Sequence, residues 1–181
     1  MITTGRGNLL LAPAEALVNT VNTEGVMGKG IALQFREAYS EMYERYVADC
    51  KARRVQLGKM NVFDRGAIAV DGPRYIINFP TKGHWRSKSR LADIEAGLRD
   101  LARVVQDLGI NSIAVPPLGC GNGGLNWLEV LPLIENTFAK LPGVEALVYP
   151  PAGAPPAAEM PRHTSKPPMT EARSTLVLLI D

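Results

Sequence analysis

Residues 16–30 read ALVNTVNTEGVMGKG, a short apolar run from Ala16 to Val21 that gives way to a loop holding Gly25, Gly28 and Gly30. From Gly30 the spacing changes. Ile31, Phe35, Ala38, Met42, Tyr46 and Cys50 recur three or four residues apart, which predicts one helix from Gly30 to about Arg54. A strand that ends in a glycine loop and opens a helix is the repeating unit of α/β folds. Residues 112–125, SIAVPPLGCGNGGL, start the same sequence of events again: Ser112 to Val115 is a buried strand, and a second glycine loop follows it.

Between and around these two stretches the signals keep alternating. Ala67–Val70 and Arg74–Phe79 are predicted strands about the turn Asp71-Gly72-Pro73. Ser89 is positioned to cap a helix carrying Leu91, Ile94, Leu98, Leu101, Val105 and Leu108, with Gly109 as its stop. Asn126 and Glu129 resemble a capping box, and Pro132 suits the first position of the main helix after a short turn from Trp127. Val144–Tyr149 is the last strand. The expected architecture is a three-layer α/β/α sandwich on a mixed, largely parallel central sheet.

Composition narrows the class without choosing a function. Of the 181 residues 46% are hydrophobic and 21% charged, the balance of a folded chain rather than a disordered one. Twenty Lys+Arg against 18 Asp+Glu leave +2, so overall charge points to neither nucleic acid nor membrane. Cys50 and Cys120 make no disulfide framework, and with only two histidines there is no zinc-ligand spacing. Neither a signal peptide nor an apolar span is expected, which fits a cytoplasmic protein without a membrane partner. From Pro150 to Pro168 seven of 19 residues are proline, half of the chain's 14. Such a run resists helix and sheet. The expected division is therefore a domain over 1–149, a linker over 150–168, and a tail or the start of a further region over 169–181.

Ligands of such sheets bind at the carboxyl ends of strands, in the loops that enter helices. Glycines there let backbone N–H groups turn toward an anion, and a helix end adds partial positive charge. One glycine loop alone is more simply a tight turn. Two at equivalent edges of one cleft are suited to a diphosphate. Neither fits a Walker or dinucleotide fingerprint.

The combination of VNTVNTEGVMGKGIA (18–32), FPTKGHW (79–85) and PPLGCGNGGL (116–125) resembles the macrodomain family. The resemblance spans residues 1 to about 150, and it implies an ADP-ribose site with no metal and no cofactor. By that resemblance the ligand meets Asn8 and Leu9, Asn19 and Asn22, and Gly28, Lys29, Gly30 and Ile31. It also meets the second loop, Pro117, Leu118, Gly119, Cys120, Gly121, Asn122, Gly123, Gly124 and Leu125, and then Tyr149. Asn22 is expected at the distal ribose, while Asn19 ties down the loop backbone. Asn8 stands where many members have an aspartate that accepts from the adenine amino group, and Tyr149 packs on the adenine.

The T-K after the central strand, with G-C-G and L-N-W later, further resembles the branch of glycohydrolases in which a lysine acts on the anomeric carbon. Lys82 is then the catalytic residue. A second-loop aspartate used by some members is replaced by Gly123. The branch most similar in these motifs removes ADP-ribose from thymidine in single-stranded DNA and works against a cognate ADP-ribosyltransferase toxin. The segment KGHWRSKSR (82–90) carries four Lys/Arg, one Trp and no acid. His84, Trp85, Arg86, Lys88 and Arg90 accordingly form an expected DNA-binding set. Glu24, the one carboxylate of the first loop, is a lesser candidate acid or base, and Cys120 is expected to be a small loop residue without nucleophilic function. Two other functions share these motifs: a non-catalytic ADP-ribose-binding module, and a glycohydrolase of ADP-ribosyl-glutamate esters in proteins.

Overall fold

A computed structural model describes residues 1–66 and 72–152. Six strands form one sheet in the order β1-β6-β5-β2-β4-β3. They are β1 (Ile2–Thr4), β2 (Ala16–Asn22), β3 (Asn61–Asp64), β4 (Tyr75–Lys82), β5 (Ser112–Val115) and β6 (Glu145–Val148). Every pairing is parallel except the edge strand β3, which runs antiparallel to β4. A short 3-10 turn at Leu9–Leu11 follows β1. The helices are α1 (Gly30–Ala38), α2 (Ser40–Lys51), α3 (Leu91–Asp107) and α4 (Trp127–Phe138). None is long and apolar enough to cross a membrane.

The period-two alternation of the strands sorts the core into two layers. Ala16 and Val18 of β2, Ile77 and Phe79 of β4, and Ile113 and Val115 of β5 face α3 and α4. Leu17, Val21, Ile76 and Ala114 point the other way, into Phe35, Met42 and Tyr46 of α1 and α2. Strands buried on both faces read as continuous apolar runs, which is how ALV and SIAV signalled them. Gly97 lies mid-helix in α3 because the Phe79 ring occupies the place of its Cβ.

Four sequence expectations meet corrections. The helix foreseen over 30–54 is two helices broken at Tyr39, whose φ of −136° and ψ of 71° leave the helical region. The Tyr39 ring packs against Phe35 and beneath the Arg65 guanidinium, so the apolar spacing runs through the break. Ser89 does not cap α3. The N-cap is Arg90, without a side-chain capping bond, while the Ser89 amide donates to the Gly123 carbonyl at 3.0 Å and its buried hydroxyl has no partner among the described residues. Asn126 does cap α4, accepting from the Leu128 amide at 3.0 Å, but the helix begins at Trp127 and holds Pro132 inside its second turn. The side chain of Glu129 returns no bond among the described residues. Strands β1 and β3 went unforeseen. The expected strand Ala67–Val70 and its turn residue Asp71 lie outside the described residues.

Candidate active site

The carboxyl ends of β2, β4 and β5 and the loops after them surround a cleft of about 940 Å³. The topology dictates this. β2 is flanked by β4 on one side and β5 on the other, so the segments leaving these three strands emerge side by side.

The first loop, leaving β2, is shaped by Asn22. Its carboxamide oxygen accepts from the amides of Glu24 (2.9 Å) and Val26 (3.3 Å), and its Nδ2 donates to the Val26 carbonyl at 2.6 Å. The Tyr46 hydroxyl donates to the Asn22 carbonyl at 2.6 Å from α2. Asn19, fully buried, donates to Asn78 Oδ1 at 3.0 Å and lies beneath the cleft, not on its wall. Asn22 lines the cleft and also braces the loop, a task expected of Asn19, while Asn19 locks β2 to β4. The loop delivers Gly28, Lys29, Gly30 and Ile31 to the cleft at the start of α1, where no side chain caps the helix. Its first N–H groups and the positive end of its dipole therefore open onto the cavity.

The second loop curls on itself. Cys120, Gly124 and Leu125 amides donate back to the carbonyls of Pro117, Gly121 and Gly119 at 3.0–3.1 Å. The amides of Gly119, Gly121, Asn122 and Gly123 have no acceptor among the described residues, and all four residues line the cleft. Gly123 admits no side chain, since a Cβ there would strike the Ser89 hydroxyl and the Gly119 carbonyl. Glycine at 123 is therefore required by packing. A Cβ on Gly121 would meet only open space. Cys120 is half-buried, its thiol donating to the Leu118 carbonyl at 3.5 Å, and burial pushes its pKa up to about 11. The sulfur stays a thiol.

Lys82 ends β4. A bulge between Val21 and Asn22 leaves Thr81 unpaired and sets Lys82 opposite Asn22. Such a bulge re-aims the side chain beyond it. The Lys82 ammonium reaches the Asn122 carbonyl at 3.4 Å, linking β4 to the second loop across the cleft. Burial pushes its pKa below the ordinary lysine value, and no acidic side chain opposes the shift.

Beyond Lys82 the chain turns outward under restraint. Thr23 donates to the Gly83 carbonyl through both amide and hydroxyl at 3.0 Å, and the Trp85 amide donates to the Glu24 carboxylate at 3.4 Å. Glu24 is therefore an anchor for this segment, 3.7 Å from His84 Nε2, and not a wall of the cleft. Trp85 and Arg86 line the cleft, whereas His84, Lys88 and Arg90 do not. Arg90, exposed, pairs with both oxygens of Asp93 at 2.8 and 2.9 Å.

Most of the expected ligand contacts converge on this cleft: Asn8, Leu9, Asn22, residues 28–31, Pro117, Gly119, Gly121, Asn122, Gly123 and Tyr149. Asn8 also accepts from the Leu10 amide at 3.0 Å, and Tyr149 packs its ring against Gly5. Asn19, Leu118, Cys120, Gly124 and Leu125 support the wall from behind. Gly7, Val26, Gln34, Thr81 and Pro150 belong to the wall and went unforeseen. Gly7 carried a signal as the glycine beside Asn8, and Val26 and Thr81 stand within the motifs of 18–32 and 79–85.

The Macro domain family matches residues 18–134. The chain belongs to the macrodomain family. A DNA ADP-ribosyl glycohydrolase of Mycobacterium tuberculosis is 57% identical over 159 residues, 88% of this chain but 45% of that protein. The macrodomain thus spans about half the length of the curated relatives it matches. The structure of the macrodomain of M. tuberculosis DarG superimposes with a TM-score of 0.82 at 58% identity, covering 84% of this chain and 99% of that one. Thermosipho africanus DarTG in complex with ADP-ribose matches with a TM-score of 0.74 at 32% identity, over 85% of this chain and 43% of that one. The family match, over 18–134, takes in both glycine loops and β4.

Proposed function

We propose that this macrodomain hydrolyses the bond between ADP-ribose and thymidine in single-stranded DNA. The observation that carries the proposal is Lys82, partly buried and with a lowered pKa, extending into a cleft lined by unpartnered backbone amides and the uncapped end of α1. The amides of Gly119, Gly121, Asn122 and Gly123 and the α1 N-terminus hold the diphosphate. Asn8, Leu9 and Tyr149 receive the adenosine end, and Asn22 faces the distal ribose.

Lys82 attacks the anomeric carbon as a neutral amine. As its N–C bond forms, the bond to the thymine nitrogen breaks, and the base leaves as an imide anion that takes up the proton the lysine releases. Water then cleaves the lysine–ribose bond, its hydroxyl remaining on the ribose, and the amine is restored. A resonance-stabilised imide needs less protonation than an amine leaving group, so Gly123 in place of an aspartate is chemically tolerable. The relatives named for DNA ADP-ribosyl glycohydrolase activity support this substrate, and the DarTG likeness supports an ADP-ribosyltransferase toxin as partner; a cytoplasmic location is part of this reading.

Incubating the protein with ADP-ribosylated single-stranded DNA and, separately, with ADP-ribosyl-glutamate protein tests the proposal. Free ADP-ribose released from the DNA is the expected result. Release from the protein ester alone would replace the substrate, and release from neither, with ADP-ribose still bound, would leave a binding module.

A further inference from the structure

The cleft wall carries an aromatic surface for which the hydrolytic steps above have no use. Trp85 keeps 40% of its surface exposed. It is nonetheless held in place. The His84 ring stacks on it at 5.8 Å and 20°, and the Arg86 guanidinium lies 4.4 Å from its ring centre. The frame beneath is bonded from below by Glu24 and Thr23. Of the three stacked side chains only Trp85 and Arg86 face the cleft, three and four residues beyond Lys82. Val26 of the first loop, 39% exposed, adds apolar surface to the same cavity.

An indole flanked by a guanidinium presents flat, polarisable surface, which favours a planar ring over an aliphatic chain. We propose that Trp85 and Arg86 form the subsite for the departing nucleobase, which stacks on them while Lys82 acts on the neighbouring anomeric carbon. The proposal rests on the hydrolytic reading of Lys82. It makes Trp85 a specificity-determining residue: a thymine ring gains stacking there, and the methylene chain of a glutamate ester gains none.

The test compares Trp85→Ala and Trp85→Phe with the wild type on two substrates, ADP-ribosylated thymidine as a single nucleoside and the same linkage within an oligonucleotide. Calorimetry with free ADP-ribose runs beside it. Trp85→Ala is expected to lower kcat/KM by about 5- to 150-fold, the range of one lost base stack, and equally on both substrates. Trp85→Phe should restore most of the loss, and ADP-ribose affinity should stay within two-fold. A loss confined to the oligonucleotide would assign Trp85 to a flanking nucleotide and overturn the proposal. So would unchanged kcat/KM on both substrates, or a parallel fall in ADP-ribose affinity. A wild-type protein inert on both substrates would overturn the hydrolytic reading itself, whatever the variants do.

Discussion

Lys82 is the residue on which chemistry and stability pull apart. Burial disfavours its ammonium, so the folded state holds the charge less well than the unfolded chain does. The sign follows from linkage. A lysine whose folded pKa is depressed destabilises the fold below that pKa, and the cost disappears as pH rises past the unfolded value. Lys82→Ala should therefore remove hydrolysis by about 10²-fold or more, leave ADP-ribose affinity within a few-fold, and keep or slightly raise Tm at neutral pH. Kinetics, calorimetry and thermal melts on one preparation check all three. With a neutral amine as nucleophile, wild-type kcat/KM should also rise with pH and level off below the ordinary lysine range. A rate that falls as pH rises would make the ammonium the active form.

The second loop offers a paired residue test. Gly121→Glu extends a carboxylate into open cleft beside the unpartnered amides, and should abolish ADP-ribose binding while leaving the melting temperature within a few degrees. Gly123→Glu collides with Ser89 and the Gly119 carbonyl, so it should lose stability as well. Calorimetry with thermal melts separates the two. That distinction was not legible in GCGNGG, where the two glycines look alike. Nor was the loop-bracing part of Asn22. Asn19 and Asn22 both follow a β-strand pattern, and only the neighbouring Asn78 and the curl of the loop decide which amide meets which partner.

Among elements, the strands with apolar runs and the long periodic α3 were legible because burial on two faces, or on one stripe, dictates composition. The edge strands were not. β1 has three residues and β3 four, with half-exposed faces and no long apolar run, and their place depends on distant partners. For β3 one partner is a side chain. Asp100 of α3, almost wholly buried, accepts from the Met60 amide at 2.7 Å and from Arg103 at 2.9 and 3.1 Å, with Lys59 at 3.6 Å. Burial alone would raise its pKa, but the Met60 amide, Arg103 and Lys59 outweigh that and hold it below the usual carboxylate value. Asp100→Asn should cost about 1.5–3 kcal/mol near pH 7, the range for hydrogen bonds to a charged group. A depressed carboxylate pKa gives stability present above the unfolded value and lost as pH falls through the folded one, so the gap between variant and wild type should close in acid. Urea unfolding at pH 7 and pH 3 measures it.

At the scale of the molecule, the glycine loops, Lys82 and Tyr149 converge because consecutive positions in the sheet, not in the chain, set their neighbours. The alternating strands and helices made the sandwich legible, whereas the strand order had to come from three dimensions. Pro150 and Ala152 also line the cleft, so its wall continues beyond Tyr149. A chain ending at Ala152 should fold and bind ADP-ribose within two-fold of the full sequence, and one ending at Val148 should bind more weakly. Calorimetry on both checks this.

The pairing of β1 with β6 has a consequence for synthesis. Ile2, Thr3 and Thr4 wait for Ala146, Leu147 and Val148, and Gly5 for the ring of Tyr149. A ribosome adding 5–20 residues per second needs roughly 7–30 s to bring these ends together. Until then the nascent chain carries Lys82 and both glycine loops without the sheet edge that seats Tyr149. A fragment released before β6 would thus hold Lys82 yet lack one wall of its pocket, and among the described strands the one that completes it is β6.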